Sequence, residues 1–79
     1  MRIHDEESDR SLSKIIVFLT KSEAEELKSD LNSLLCDPMG NHTHLSSDDY
    51  RKEITVCIYD EARLEGFSDR AKRLIREDV

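Results

Sequence analysis

Apolar residues recur along this chain with two different periods, and these periods predict its strands and helices. Residues 14–19 (KIIVFL) form a β-branched and aromatic run that is too short for a helix and rich in strand formers. Both its odd and its even positions are apolar, which is typical of a central strand covered on both faces. The run therefore predicts a strand that needs cover on two sides.

The next stretch predicts a helix. Residues 20–25 contain two overlapping sequences with capping-box spacing. Apolar side chains then recur at helical spacing, at Ala24, Leu27, Leu31, Leu34 and Leu35. Asp37-Pro38 and Gly40 are expected to end this helix, because the residue before proline disfavours helical geometry and glycine accepts a left-handed turn.

The second half of the chain predicts a hairpin and a final helix. Residues 41–45 form a short strand candidate, and residues 53–59 (EITVCIY) alternate as in a half-buried strand. The few turn-forming residues between them suit an antiparallel connection. Ser68 is then expected to cap a helix with a narrow apolar stripe at Ala71, Leu74 and Ile75.

The predicted order is strand, helix, strand, strand, helix, which defines a small α+β fold. We expect a sheet of three to four strands with both helices on one face. Residues 1–13 leave two alternatives open, an extra edge strand or a disordered tail. Because 79 residues supply only one small core, residues 1–79 are predicted to form a single domain.

The net charge of the chain indicates which charge a partner would carry. Eighteen acidic against twelve basic residues give a net charge of −6, and the basic residues are scattered. Such a surface repels nucleic acid and favours a basic protein partner. The alternative is that the charge only keeps the chain soluble.

Several classes of site are disfavoured by composition. The only glycines, Gly40 and Gly66, are too far apart for a phosphate loop, so no nucleotide or other cofactor is expected. Cys36 and Cys57 are expected to be small core residues. No run approaches a membrane span and no apolar signal region opens the chain, so we expect a cytoplasmic protein without membrane contact.

His42 and His44 are the most unusual pair in the sequence. Two residues apart on a strand, they share a face, which suits a metal. A zinc site needs at least three protein ligands, however, and no further ligand spacing reinforces this pair. The other interpretations are an exposed polar face of an edge strand and a contact with a protein partner.

The turn after these histidines carries further candidates. Asp48 and Asp49 follow two serines and are typical turn formers, so catalysis by paired carboxylates is disfavoured and no enzyme is predicted. Tyr50, in the same polar turn, is the aromatic residue expected to be exposed and available as a contact anchor. The predicted partner-binding set is His42, His44, Asp48, Asp49 and Tyr50.

The sequence around this set also resembles a known family. A leucine-rich helix with a T-x-x-E start leads through a glycine turn into the H-x-H-L strand of residues 42–45, within residues 37–45 (DPMGNHTHL). This resembles small bacterial proteins of the polymorphic-toxin immunity type, over residues 14–59. The resemblance implies a cytoplasmic inhibitor that binds a toxin and blocks it.

These patterns together predict a non-catalytic protein-binding module, with an immunity-like inhibitor as its specific form. One alternative is a homodimeric structural or regulatory protein, in which symmetry buries the second sheet face. The other is a metal-binding protein that uses His42 and His44.

Overall fold

The computed structural model of the chain describes residues 1–37 and 42–79. These form two compact units, one made of Met1–Val17 with Asp60–Val79 and the other of Phe18–Tyr59. The prediction of a single domain over residues 1–79 stays a prediction. The proposed helix-stopping roles of Pro38 and Gly40 lie outside the described residues.

Helix α1 (Lys21–Cys36) opens the second unit, and its start follows from the sequence. Thr20 is the N-cap, and the first of the two predicted capping boxes is the one used. The Thr20 N–H donates to Glu23 Oε1 at 2.8 Å, and the Glu23 N–H donates to Thr20 Oγ1 at 3.2 Å. The helix ends at Cys36, with Asp37 as its C-cap.

The predicted hairpin is confirmed. Strands β3 (His42–Ser46) and β4 (Glu53–Cys57) pair antiparallel, within one or two residues of the expected bounds. Helix α1 packs on β3. Leu34 of the helix and Leu45 of the strand are both buried and form the core of this unit.

The other unit contains two very short strands. Strands β1 (His4–Asp5) and β2 (Arg10–Ser11) form a second antiparallel pair, extended by a hydrogen bond from the Leu12 N–H to the Ile3 carbonyl at 2.8 Å. The Asp5 carboxylate accepts hydrogen bonds within the connecting turn, from the Glu7 N–H and the Ser8 hydroxyl. Residues 1–13 thus hold a small hairpin of their own.

Helix α2 (Asp69–Glu77) completes this unit and is capped as predicted. The Ala71 N–H donates to Ser68 Oγ at 3.1 Å. Gly66 precedes the cap with a φ of 92°, a backbone conformation that favours glycine. The buried apolar side chains of this unit are Leu64, Leu74 and Ile75.

Arg2 and Arg70 tie the first residues of the chain to α2. Arg2 Nε lies 3.2 Å from the Leu74 carbonyl oxygen and 3.1 Å from that of Ile75, so it donates to the last turn of the helix. Arg70 Nε donates to Asp9 Oδ1 at 2.8 Å. Cations at a helix C-terminus and charge-assisted bonds are both favourable.

The α+β class is confirmed, but the strand count differs from the prediction. Residues 14–19 form no strand, and the described residues contain two separate two-stranded sheets in place of one sheet of three to four strands. Because the described residues contain no single larger sheet, the predicted placement of both helices on one face of such a sheet does not apply, and α1 packs on β3. A strand exists only where a second strand pairs with it, and residues 14–19 have none in the described part of the chain.

No helix among residues 1–37 and 42–79 combines the length and the apolar character that crossing a membrane requires.

Candidate interaction site on the β3–β4 hairpin

The two faces of the hairpin differ in their environment because side chains alternate along each strand. The cross-strand pairs Thr43–Val56 and Leu45–Ile54 share the inner face, where all four residues are buried or half-buried. The pairs on the outer face are His42–Cys57, His44–Thr55 and Ser46–Glu53, and all but the half-buried Ser46 are exposed. The outer face is therefore open and polar.

The two histidines stand together on this outer face, as the strand spacing predicts. The ring centroids of His42 and His44 are 4.7 Å apart, with the rings edge to face at 77°. His44 Nδ1 lies 2.7 Å from Thr55 Oγ1 and 2.9 Å from Glu53 Oε1. Thr55 and Glu53 fix the orientation of the His44 imidazole, and the His42 ring contacts it edge to face.

The connection from Ser47 to Lys52 is closed by a dense set of hydrogen bonds. The Ser47 N–H donates to the Lys52 carbonyl at 2.8 Å, and the Ser47 hydroxyl donates to Asp49 Oδ1 at 2.6 Å. The Arg51 N–H donates to the same carboxylate oxygen at 3.0 Å. The hydrogen bond from the Ser47 hydroxyl, followed by that from the Arg51 N–H, lowers the pKa of Asp49.

Tyr50 sits at the tip of this turn. Its side chain is 87% exposed, and its φ of 59° places it in the left-handed region. The Tyr50 N–H donates to the Ser47 carbonyl at 2.9 Å. A non-glycine residue is uncommon in this region, and a bulky one is more so.

Asp48 links the hairpin to the start of α1. Its N–H donates to Glu23 Oε2 at 2.8 Å, and its carboxylate accepts the Thr20 hydroxyl at 2.8 Å. The Ser22 hydroxyl reaches the same carboxylate at 3.2 Å. The position of the turn is thus set by the N-terminus of the helix.

The Glu23 carboxylate is the centre of this link. It is buried, and it accepts the N–H groups of Thr20 and Asp48 with different oxygens. The hydrogen bond from the Thr20 N–H, followed by that from the Asp48 N–H, lowers the pKa of Glu23. The ionised carboxylate is the form that this site stabilises.

The structure brings the five predicted contact residues onto one hairpin but gives them different tasks. Asp48 and Asp49 accept hydrogen bonds that shape the turn, whereas His42, His44 and Tyr50 project from it as exposed side chains. Thr20, Ser22 and Glu23 were not predicted as part of this region. Their capping pattern was visible in the sequence, but their hydrogen bonds to Asp48, 25 to 28 residues away along the chain, were not.

Among residues 1–37 and 42–79, no group of three or more histidine, cysteine or carboxylate side chains is placed to hold a metal ion. Cys36 and Cys57 are exposed free thiols, so their predicted burial in the core is wrong. Partial desolvation of the sulfur raises the pKa of Cys57, which disfavours the nucleophilic thiolate.

A cavity of about 160 Å³ lies between α1 and β3, lined by Asp30, Ser33, Leu34, His42 and Thr43. Ligand pockets for small molecules are usually at least about twice this volume. The outer face and tip of the hairpin are a better candidate for contact than this cavity.

Comparison of the chain with protein-family models, curated proteins and solved structures found no match in any of the three. The resemblance to immunity-type proteins therefore stays an expectation from the sequence.

Proposed function

We propose that this chain is a non-catalytic protein-binding module that contacts its partner through the tip and outer face of the β3–β4 hairpin. Tyr50 is the central contact, flanked by His42 and His44. The observation that carries the proposal is the combination of exposure and backbone conformation at Tyr50, which is 87% exposed at a φ of 59°.

The backbone conformation of Tyr50 destabilises the folded chain, and its exposed side chain adds little stabilisation in return. A left-handed conformation costs a residue with a side chain roughly 1–2 kcal/mol, which glycine avoids. An exposed ring returns none of this through burial. Strained residues persist where the surrounding structure holds them, and they cluster at functional sites.

The surroundings of Tyr50 meet that description. The Ser47 hydroxyl, the Asp49 carboxylate and the Tyr50 N–H form the bonds that hold the turn, and Asp48 anchors it to α1. Tyrosine is enriched among the residues that dominate binding energy at protein interfaces. A rigid turn presenting one aromatic side chain also loses little conformational entropy on binding.

The partner is proposed to be a basic protein. The net charge of −6 attracts basic surfaces and speeds their encounter. Asp48 and Asp49 contribute by positioning the tip, since their carboxylates are engaged within the chain.

The test is Tyr50→Gly, compared with Leu35→Ser as a matched loss of an exposed apolar side chain on α1. We expect Tyr50→Gly to raise the free energy of unfolding by about 1 kcal/mol in urea titrations, because the strain is relieved. The same variant is expected to lose its partner when tagged chains are recovered from cells that natively produce the protein and the co-purified proteins are quantified by mass spectrometry.

Two results would contradict this proposal. One is a partner recovered equally with Tyr50→Gly and with the original chain. The other is the absence of any stoichiometric partner for the original chain. The identity of a recovered partner also tests the finer hypothesis of an immunity-like inhibitor, since a toxin is what the sequence resemblance implies.

A further inference from the structure

The outer face of the β3–β4 hairpin carries two imidazole rings that converge on each other. Residues two positions apart on a strand have Cα atoms about 7 Å apart. The ring centroids of His42 and His44 lie only 4.7 Å apart, so the two rings lean together from their separate positions on β3. Both side chains are exposed, and an ion can therefore reach them directly from solvent.

Glu53 determines which nitrogen of His44 is available to a ligand. Glu53 Oε1 lies 2.9 Å from His44 Nδ1, and Thr55 Oγ1 lies 2.7 Å from the same nitrogen. An ionised carboxylate only accepts hydrogen bonds, so Nδ1 carries the proton and, in the neutral ring, Nε2 carries the lone pair. Metal-binding histidines usually donate their second ring N–H to a carboxylate in this way, which orients the ring and makes the other nitrogen a better ligand.

The His42 ring is free to supply the second nitrogen. Among residues 1–37 and 42–79, neither of its ring nitrogens has a hydrogen-bond or ion-pair partner, and the ring contacts His44 edge to face. An imidazole nitrogen binds a metal at about 2.0–2.1 Å, so two nitrogens on one ion are at most about 4 Å apart. Rotation of the unrestrained ring about its side-chain torsions brings nitrogens of two rings this close within that range, while the strands stay paired.

His4, the third histidine of the chain, has different surroundings. Its Nε2 atom lies 2.9 Å from Asp9 Oδ1, and the same carboxylate oxygen accepts Arg70 Nε at 2.8 Å. No second imidazole is paired with it, and a guanidinium beside the ring repels a metal cation. His4 therefore serves as an internal control for what an isolated histidine of this chain does.

The ligands on the outer face select the class of ion. Zinc sites use three or four protein ligands, whereas the described residues bring two imidazoles together here. Imidazole and water ligands in tetragonal geometry suit divalent copper and nickel. Cys57 is the cross-strand neighbour of His42, but partial desolvation raises the pKa of this thiol and disfavours the thiolate that a metal requires.

We propose that His42 and His44 form a chelating site for a divalent metal ion of the copper and nickel class, with one nitrogen from each ring and water in the remaining positions. Glu53 is a positioning residue, which holds the His44 ring through Nδ1 and does not contact the ion. The net charge of −6 attracts cations to the chain. The site does not include Tyr50 and is independent of the proposed function.

The first test is calorimetric titration of the full chain with Ni²⁺, which does not oxidise the free thiols of Cys36 and Cys57. We expect saturable binding of one ion per chain. His42→Ala and His44→Ala should each abolish this binding, because a single imidazole is left. His4→Ala should bind nickel as the original chain does, and circular dichroism verifies that each variant folds.

The positioning role of Glu53 has a separate readout. Glu53→Ala should weaken nickel binding about tenfold to a hundredfold, as is typical when the carboxylate behind a ligating histidine is lost. Nitrogen NMR of the metal-free variant should also show a larger fraction of His44 with its proton on Nε2. Glu26→Ala, which removes the same charge from an exposed position on α1, should change neither measurement.

Copper identifies the ligands with both histidines in place. In a variant that carries Cys36→Ser and Cys57→Ser, so that Cu²⁺ is not reduced by thiols, the electron paramagnetic resonance spectrum should show splitting from two imidazole nitrogens. The affinity should fall as the pH is lowered from about 7.5 to about 5.5, because protons compete with the ion for both rings.

Three outcomes would overturn the proposal. The first is the absence of saturable nickel binding by the original chain. The second is nickel binding that survives in both His42→Ala and His44→Ala, which would place the ion elsewhere. The third is a copper spectrum with a single imidazole nitrogen. Tyr50→Gly should bind nickel as the original chain does, so the metal site and the proposed partner contact are tested separately.

Discussion

Glu23 is the polar side chain that the structure buries among the described residues, and its environment accounts for that burial. Its two oxygens accept the N–H groups of Thr20 and Asp48, so both oxygens of a carboxylate that would be costly to bury alone have a hydrogen-bond donor. The capping box could be predicted, because its two residues are three positions apart. The bond to Asp48 could not, because no local pattern specifies it.

Thr20 is expected to matter more than an ordinary N-cap. Thr20→Ala removes the acceptor for the Glu23 N–H and the donor to Asp48 Oδ2. We expect the free energy of unfolding to fall by about 1–2 kcal/mol, measured by urea titration. Ser29→Ala, at an exposed position inside α1, is the control, and an equal loss in both variants would contradict this role.

At the scale of elements, α1 shows what hydrophobic periodicity can and cannot predict. Five apolar positions of the predicted stripe share helical spacing, yet only Leu34 is buried, whereas Leu31 and Leu35 are exposed. The period predicts that a helix forms. It does not predict how wide the neighbouring sheet is, and a two-stranded sheet covers only part of the stripe.

Two neighbouring leucines test this difference directly. Leu34→Ala is expected to lower the free energy of unfolding by about 3 kcal/mol, since it leaves a cavity in the core of the hairpin unit. Leu35→Ala, at a position 68% exposed, should change it by less than about 0.5 kcal/mol. Equal costs in chemical denaturation would contradict the burial described for this helix.

The strand prediction for residues 14–19 was wrong for a related reason. The β3–β4 hairpin could be predicted because its strands are neighbours in sequence and a short turn joins them. A strand next to α1 would need a partner from elsewhere, and propensity contains no information about whether one is within reach. The exposed hairpin tip was predicted from its turn residues, but the left-handed backbone at Tyr50 was not, because tyrosine does not favour it.

At the scale of the whole molecule, charge is the dominant property. Several carboxylates of this acidic chain are stabilised in their ionised form by neighbours. The pKa values of Asp5 and Asp49 are lowered mainly by serine hydroxyls, and that of Asp9 mainly by Arg70 and then by His4. Backbone N–H groups lower the pKa of Glu23.

This pattern predicts that acid destabilises the fold. A carboxyl group whose pKa is lowered on folding takes up a proton more readily in the unfolded chain. Its stabilising contribution is therefore complete above the ordinary values of 3.8 for Asp and 4.5 for Glu, and is lost as pH falls through the lower folded pKa. Thermal unfolding followed by circular dichroism should show a midpoint that drops steadily below about pH 4.5.

The Glu23 contribution to this acid sensitivity can be isolated. Glu23→Gln should show a shallower fall of the unfolding midpoint with acid than the original chain, whereas Glu26→Gln, exposed on the same helix, should follow the original. A midpoint that is constant or rises on acidification would contradict the assignment.

The bonds from Arg2 to the carbonyls of Leu74 and Ile75 have a consequence for the order of folding. They close across 72 and 73 positions of sequence, so one compact unit is assembled from the two opposite stretches of the chain. On the ribosome, residues 18–59 emerge as a continuous stretch and can begin to fold during synthesis. The hairpin of β1 and β2 must wait for α2, which is translated after residues 18–59, and during this delay the apolar residues of its own unit stay uncovered in the nascent chain.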